Sequence, residues 1–235
     1  MTYFYLVPQS FLKFSILMQI IFALVALSVS YFSLKIYKIS RQREIKLFGI
    51  SFILIALSYV IWAVIHSAIA YPSLIEFAKI ATENVSRLGG IGMLAHVILF
   101  ISGLITLSYT TVKIKSGKIY YLLLTLGIIS LVAPIIVTRI IFEPIASSAV
   151  YNLLITSRIL SIFFLIFIIY NYFEEYSNNK NKKTLLIGIA FCLLLLSNAD
   201  FIFSLTYYPA YIMGHILEFI AYLFILISLL LTIKK

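Results

Sequence analysis

The chain has 235 residues, of which 63% are hydrophobic, with a mean hydropathy of +1.11 and a net charge of +10. An apolar content this high excludes an ordinary soluble domain. The positive charge alone would suggest a nucleic-acid-binding protein, but 13 of the 18 Lys and Arg residues lie in four short segments, 35–46, 113–118, 180–183 and 234–235. These segments lie between or just after long apolar runs, so we attribute the charge to membrane topology and to anionic lipid, not to nucleic acid.

Seven apolar runs follow one another along the chain, and each can cross a hydrocarbon core of about 30 Å as a helix. The runs are residues 14–34, 47–70, 91–112, 119–138, 150–173, 184–205 and 212–233. Backbone polar groups cannot remain unpaired in lipid. The runs therefore predict an all-α, polytopic integral membrane protein, with a seven-helix transmembrane bundle as the single domain of residues 1–235.

The basic segments also predict an orientation. Lys and Arg collect on the cytoplasmic side of a membrane, which places the N-terminus outside the cell membrane and the C-terminus in the cytoplasm. A cleaved signal peptide is the alternative for the first run. That run is longer than the apolar part of a signal peptide, and no cleavage site of small residues is evident near residues 28–33.

One loop, between the second and third runs, carries a helical pattern. Ser73 and Glu76 have the spacing of a capping box, and apolar residues then recur at helical spacing up to residue 88. Gly89 and Gly90 predict the end of this segment. We expect an outer amphipathic interfacial helix over 73–88, either a spacer or a lid over a site between the helices. No repeat of 20–50 residues and no inverted repeat with broken helices is evident.

Polar side chains inside the runs are the candidate functional residues, because ionisable groups in a membrane indicate a partner or a role. Counting about 1.5 Å per residue places them in the outer third of the bundle, the three histidines at one depth. Glu218 lies one turn from His215 on the same helix face. The candidate site residues are His66, His96, Arg158, Asn198, Asp200, His215 and Glu218.

Three interpretations of these residues remain open. In a purely structural one, Arg158 pairs with Asp200 or Glu218 and the histidines hydrogen-bond to the backbone. In the second, the cluster binds a small ligand or a proton, since histidine titrates near pH 6.5. In the third, His66, His96 and His215 bind zinc, or two of them hold a haem b iron. Neither an HxxxH nor an HExxH motif supports the third, so no cofactor is predicted, with haem b and zinc as alternatives.

Three of the runs carry segments that resemble one family. Val64-Ile65-His66-Ser67 is similar to a Leu-Leu-His-Thr-like end of the second span, and Met93-Leu94-Ala95-His96 to a Trp-Ile-Ala-Ala-Arg-like start of the third. Near the C-terminus, residues 197–201, Tyr207 and residues 214–219 are similar to Ser-Glu-Leu-x-Phe, Tyr and Gly-His-x-x-Lys. These segments, about thirty residues in all, resemble the third type of membrane-associated sensor domain, a seven-span module usually found at the N-terminus of histidine kinases and diguanylate cyclases.

This chain departs from the family pattern at the candidate site. His96 stands where the family often has Arg, Glu218 replaces a typical Lys, and Asp200 lies two positions from the family's acid. The chain stops at Lys235 with no kinase or cyclase after it. The resemblance therefore implies a free-standing sensor module that signals through a separate protein.

The cluster and the resemblance together predict a non-enzymatic seven-helix sensor. It would bind a small ligand or proton on the outer side and signal to a cytoplasmic partner through the basic segment 35–46. One alternative is a haem-b or metal-binding membrane subunit of a redox complex. Another is a zinc-dependent membrane hydrolase resembling the seven-span ceramidase and adiponectin-receptor superfamily, although the last run lacks the second His that those proteins place one turn on. No P-loop or GxGxxG motif is present.

Overall fold

The computed structural model describes residues 9–71, 82–111, 147–204, 207 and 209–233, and within them every regular element is an α-helix. The helices are α1 (Gln9–Ser40), α2 (Arg43–Ala70), α3 (Thr82–Thr111), α4 (Ser147–Asn179), α5 (Lys182–Phe203) and α6 (Pro209–Ile233). All six are long and apolar enough to cross a membrane. The predicted all-α architecture is therefore confirmed for six helices, and the span predicted over 119–138 lies outside the described residues.

The six helices form a ring in chain order, in which each packs against the next and α6 packs against α1. The Tyr211 hydroxyl, near the start of α6, donates to Ser15 Oγ near the start of α1 at 2.6 Å, so these two helices run parallel. Lys183 Nζ, at the start of α5, donates to the Leu231 carbonyl near the end of α6 at 2.7 Å, so these two run antiparallel.

Two short turns join α1 to α2 and α4 to α5, and both lie at the end of the bundle that we call the turn end. In each turn one residue adopts the left-handed conformation, Arg41 with φ 56° and Lys180 with φ 50°. Their N–H groups donate to the carbonyls of Tyr37 (2.8 Å) and Tyr176 (2.7 Å). A left-handed residue is a common helix terminator, so each long helix ends there and the chain reverses.

A continuous apolar core fills the bundle, with fully buried side chains from all six helices. These include Phe22, Phe52, Ile101, Phe164, Phe191 and Ile225. Leu24, Leu57 and Ile166 are more than 40% exposed on the outside of the ring, as expected for lipid-facing positions. Lipid is as apolar as leucine, so close packing, not removal of apolar surface from water, holds such a core together.

The helix predicted over 73–88 differs from what is observed. Helix α3 begins at Thr82 and continues through Gly89 and Gly90 without a break, so the end predicted there is wrong. Glycine costs about 1 kcal/mol in a helix interior, but an unpaired backbone group in lipid costs more, which favours continuation. The first part of the predicted helix, residues 73–81, lies outside the described residues.

Candidate functional site

One face of α6 carries a row of polar side chains that point into the ring, in the half away from the turn end, which we call the far half. The row is Tyr211, His215, Glu218 and Tyr222, at alternating spacings of four and three. His215 is 5% exposed, Glu218 2% and Tyr222 1%. Glu218 lies nine residues into a helix of 25, or about 14 Å from its start. The predicted shared face of His215 and Glu218 is confirmed, and Glu218 lies near the middle of α6.

The Glu218 carboxylate is held by hydroxyl groups. The Tyr59 hydroxyl of α2 donates to Oε1 of Glu218 and lies 3.1 Å from the Tyr222 hydroxyl. A phenol has one proton to donate, so when Glu218 is ionised the consistent order is Tyr222 donating to Tyr59 and Tyr59 to Glu218. No Lys or Arg pairs with Glu218 among the described residues.

The His215 ring is buried, and within the described residues neither of its nitrogens has a hydrogen-bond partner. Its Nδ1 lies 3.8 Å from Glu218 Oε2. Aromatic rings surround it, with centroid distances of 4.6 Å (Tyr211), 4.9 Å (Phe201), 5.7 Å (Phe22) and 6.0 Å (Phe14). The imidazole therefore lies in a ring of aromatic side chains next to the Glu218 carboxylate.

His66 belongs to a network that connects α1, α2 and α6 at the far end. Gln19 Nε2 donates to His66 Nδ1 at 2.9 Å and also lies 2.9 Å from Ser15 Oγ, which accepts from Tyr211. With the amide assigned in this way, His66 carries its proton on Nε2. Gln19 was not predicted as a site residue. An amide side chain inside the first apolar run is the feature of the sequence that could have indicated it.

His96 is fixed by the backbone of α2. Its Nδ1–H donates to the Ser58 carbonyl at 3.0 Å. The ring of Trp62 stacks on His96 at 5.0 Å between centroids and contacts His66 at 4.5 Å. Trp62 is the single tryptophan of the chain, so its indole lies against two of the three histidines.

The predicted ion pair of Arg158 with Asp200 or Glu218 does not form, and that prediction is wrong. Arg158 Nη1 donates to Asn198 Oδ1 at 3.1 Å, and its guanidinium lies 4.5 Å from the centre of the Phe201 ring. Asn198 and Phe201 share a face of α5, whereas Asp200 lies about 200° around the helix from Asn198. In the described part of the chain the half-buried Asp200 carboxylate has no partner and stands apart from the cluster.

The three histidines are all buried and are connected through other rings. No two of them share a hydrogen bond in the described part of the chain. Trp62 joins His66 to His96, and Tyr59 and Phe22 lie between His96 and His215, with successive centroid distances of 6.2, 5.4 and 5.7 Å. The hydrogen-bonding residues Tyr59 and Tyr222 were also not predicted as site residues. Their position in the middle of a helix, away from the membrane interface where tyrosine is usual, could have indicated them.

Within residues 9–71, 82–111, 147–204, 207 and 209–233, no three His, Cys, Asp or Glu side chains are placed to hold a metal ion. The Trp62 indole packs against the rings of both His66 and His96. Haem b and zinc stay alternatives that come from the sequence alone.

The chain matches no protein-family model, no curated protein and no solved structure. The described residues therefore show only a class of protein. Their regular elements are all helices, and six of these helices are suited to crossing a membrane. The resemblance to the membrane-associated sensor domains stays a prediction.

Proposed function

We propose that this chain is a non-enzymatic membrane sensor that takes up a proton at Glu218 and signals to a separate cytoplasmic protein. The observation that supports the proposal is the environment of Glu218. Among the described residues, this acid is 2% exposed near the middle of α6 and accepts from a tyrosine hydroxyl, with the His215 imidazole beside it and no Lys or Arg bonded to it. Intramembrane ionisable residues of this kind are commonly functional.

The cavity beside the cluster, in the part of the chain that the structure describes, is too small for an organic ligand and favours a proton. The cavity beside the cluster measures about 10 Å³, and Asn198 and Tyr222 are the polar residues that line it. Such a volume holds about one water molecule. Pockets for small organic ligands measure roughly 300–1,000 Å³.

Protonation of Glu218 would change how α2 and α6 interact. The carboxylate accepts the hydrogen bond of the Tyr59 hydroxyl. The neutral acid carries a donor of its own, which the carboxylate lacks. The two protonation states therefore favour different packings of the helices, and a proton can shift a conformational equilibrium only through such a difference.

We place the far end outside the cell membrane and the turn end in the cytoplasm, where the exposed basic residues Lys35, Lys38, Arg41, Arg43 and Lys46 would contact the partner. Cysteine labelling tests this orientation in a Cys192→Ser background, which removes the single native thiol. In intact cells an impermeant reagent should modify Tyr71→Cys at the far end and leave Ser40→Cys at the turn end unmodified. Modification of Ser40→Cys would reverse the orientation.

The fluorescence of Trp62 tests the proton response. Protonation of Glu218 is expected to change the packing around the His96 ring on which Trp62 stacks, so acidification should change the Trp62 emission of the purified protein in lipid nanodiscs. Glu218→Gln should alter this response, because Tyr59 connects Glu218 to the His96 ring. The matched control is Glu44→Gln at an exposed position of α2, which should titrate like the unmodified protein. An emission that does not change with pH, or an unchanged titration of Glu218→Gln, would refute the proposal.

A further inference from the structure

The hairpin α1–α2 is repeated in the hairpin α4–α5 with a constant shift of 139 positions. Residues 42–58 align with 181–197 without a gap. The identical pairs are Leu47/Leu186, Gly49/Gly188, Ile50/Ile189, Phe52/Phe191, Leu54/Leu193, Leu57/Leu196 and Ser58/Ser197. At the turns, Tyr37, Arg41 and Arg43 align with Tyr176, Lys180 and Lys182. The repeat is longer than the 20–50 residues of solenoid repeats and is not inverted.

Packing at one pair of glycines supports the same shift. A Cβ on Gly49 would lie 3.3 Å from Ser33 Cβ and 3.1 Å from Leu34 Cγ. A Cβ on Gly188 would lie 3.5 Å from Tyr172 Cβ and 3.8 Å from Phe173 Cε2. Both neighbours of Gly188 are 139 positions after those of Gly49. Both turns also use a left-handed cationic residue at the equivalent position. Sequence and geometry therefore agree on the register.

The helix that follows each hairpin completes a three-helix unit. Helices α3 and α6 each pack on the second helix of their own hairpin, and each carries a buried histidine, His96 or His215. Each imidazole contacts the aromatic ring at the equivalent position of that hairpin: His96 is 5.0 Å from Trp62, and His215 is 4.9 Å from Phe201. Unit one is thus α1–α3, and unit two is α4–α6.

Glu218 lies on the seam between the units, which meet where α1 packs on α6 and where α3 packs on α4. Glu218 of unit two accepts from Tyr59 of unit one, and Tyr211 of unit two donates to Ser15 of unit one. Between Glu218 and the far end, the buried side chains include four polar ones, Ser15, Gln19, His66 and His215. Towards the turn end the interior is closed by apolar side chains from both units, Val29 and Ile225 among them, which are both 0% exposed.

We propose that the chain is a two-unit membrane carrier in which Glu218 moves protons across the bilayer. Repeats of parallel orientation with a site at mid-membrane between them are typical of carriers, in which the units rock against each other around a fixed site. The structure, with a buried Glu218 and an apolar turn half, corresponds to a state that is closed towards the turn end. This inference rests on the proposed proton site and adds that the site is reached alternately from each side.

The proton balance of one cycle is simple. In the state with access from the far end, the Glu218 carboxylate takes up one proton from water. The units then rock, so the seam closes at the far end and opens at the turn end. The carboxylic acid releases its proton to water on that side, which regenerates the carboxylate, and the units return.

Cysteine accessibility tests the alternation without a known co-substrate. In the Cys192→Ser background, the reporters are Ile225→Cys and Val29→Cys for the turn half and Ser15→Cys for the far half. The protonation mimic Glu218→Gln should make both turn-half cysteines react at least several-fold faster with a water-soluble thiol reagent, and Ser15→Cys slower. The matched control is Ile227→Cys, two residues from Ile225 but 44% exposed on the outer face of α6, whose rate should not change.

Proton flux into lipid vesicles tests the transport step itself. Vesicles that contain the purified protein should acidify faster than empty vesicles under a pH gradient, and Glu218→Gln should abolish the difference. Flux no faster than that of empty vesicles, or turn-half cysteines that stay unreactive in Glu218→Gln, would overturn the carrier. If the Trp62 response persists in that case, the proton sensor survives without transport. If that response is also absent, both proposals fail.

Discussion

Replacing Phe52 by alanine should lower the free energy of unfolding by about 3 kcal/mol. Phe52 is 0% exposed at the centre of the ring, where it packs on Phe48 and Tyr222 with centroid distances of 4.9 and 6.3 Å. Truncation of a buried phenylalanine costs roughly 3–5 kcal/mol in soluble proteins. We take the lower end, because within a bilayer the loss comes from packing and not from transfer out of water. Unfolding in mixed detergent–denaturant micelles provides the measurement.

Two further truncations make this prediction specific. Phe191→Ala, at the equivalent position of the second hairpin and also 0% exposed, should cost a similar amount. Phe163→Ala, at a lipid-facing position that is 49% exposed, should cost much less. A loss for Phe163→Ala as large as that for Phe52→Ala would mean that the core does not lie inside this ring.

Replacing Tyr59 by phenylalanine should cost about 1–3 kcal/mol, although it removes a single oxygen. The Glu218 carboxylate would lose its hydroxyl donor, and a buried acceptor left without a partner costs its full desolvation penalty. Tyr31→Phe, on the outside of α1 at 63% exposure, is the matched control and should change stability by less than about 0.5 kcal/mol.

A double-mutant cycle assigns the loss to the pair. Once Glu218→Leu has removed the acceptor, Tyr59→Phe should become almost neutral, which gives a coupling energy of about 1 kcal/mol or more. Equal losses from Tyr59→Phe in both backgrounds would show that the hydroxyl stabilises the bundle by another route.

Much of this fold could be predicted from the sequence, because the length and apolarity of a run decide whether it can form a membrane helix. Runs such as 47–70 and 212–233 correspond closely to Arg43–Ala70 and Pro209–Ile233. Helix ends were less predictable. Gly89 and Gly90 favour termination in water, whereas the need to keep backbone groups paired in lipid favours continuation.

The shared helix face of the candidate site was predictable, but its pairings were not. Counting residues placed His215 and Glu218 on one face, because that requires only the helical period. The partner of Glu218 depends on which residue of another helix faces it, and no count along the chain gives that angle. Tyr59 was missed for this reason, and so was the preference of Arg158 for Asn198 over the acids. The long repeat was missed because its two copies lie 139 positions apart.

Infrared difference spectroscopy of the protein in lipid is the most direct test of the claim that Glu218 takes up and releases a proton inside the bundle. Between neutral and acidic pH, the unmodified protein should gain the C=O stretching band of a protonated carboxylic acid in a dry environment. Glu218→Gln should lack that band, whereas Glu44→Gln should retain it. A difference spectrum of Glu218→Gln identical to that of the unmodified protein would contradict the claim.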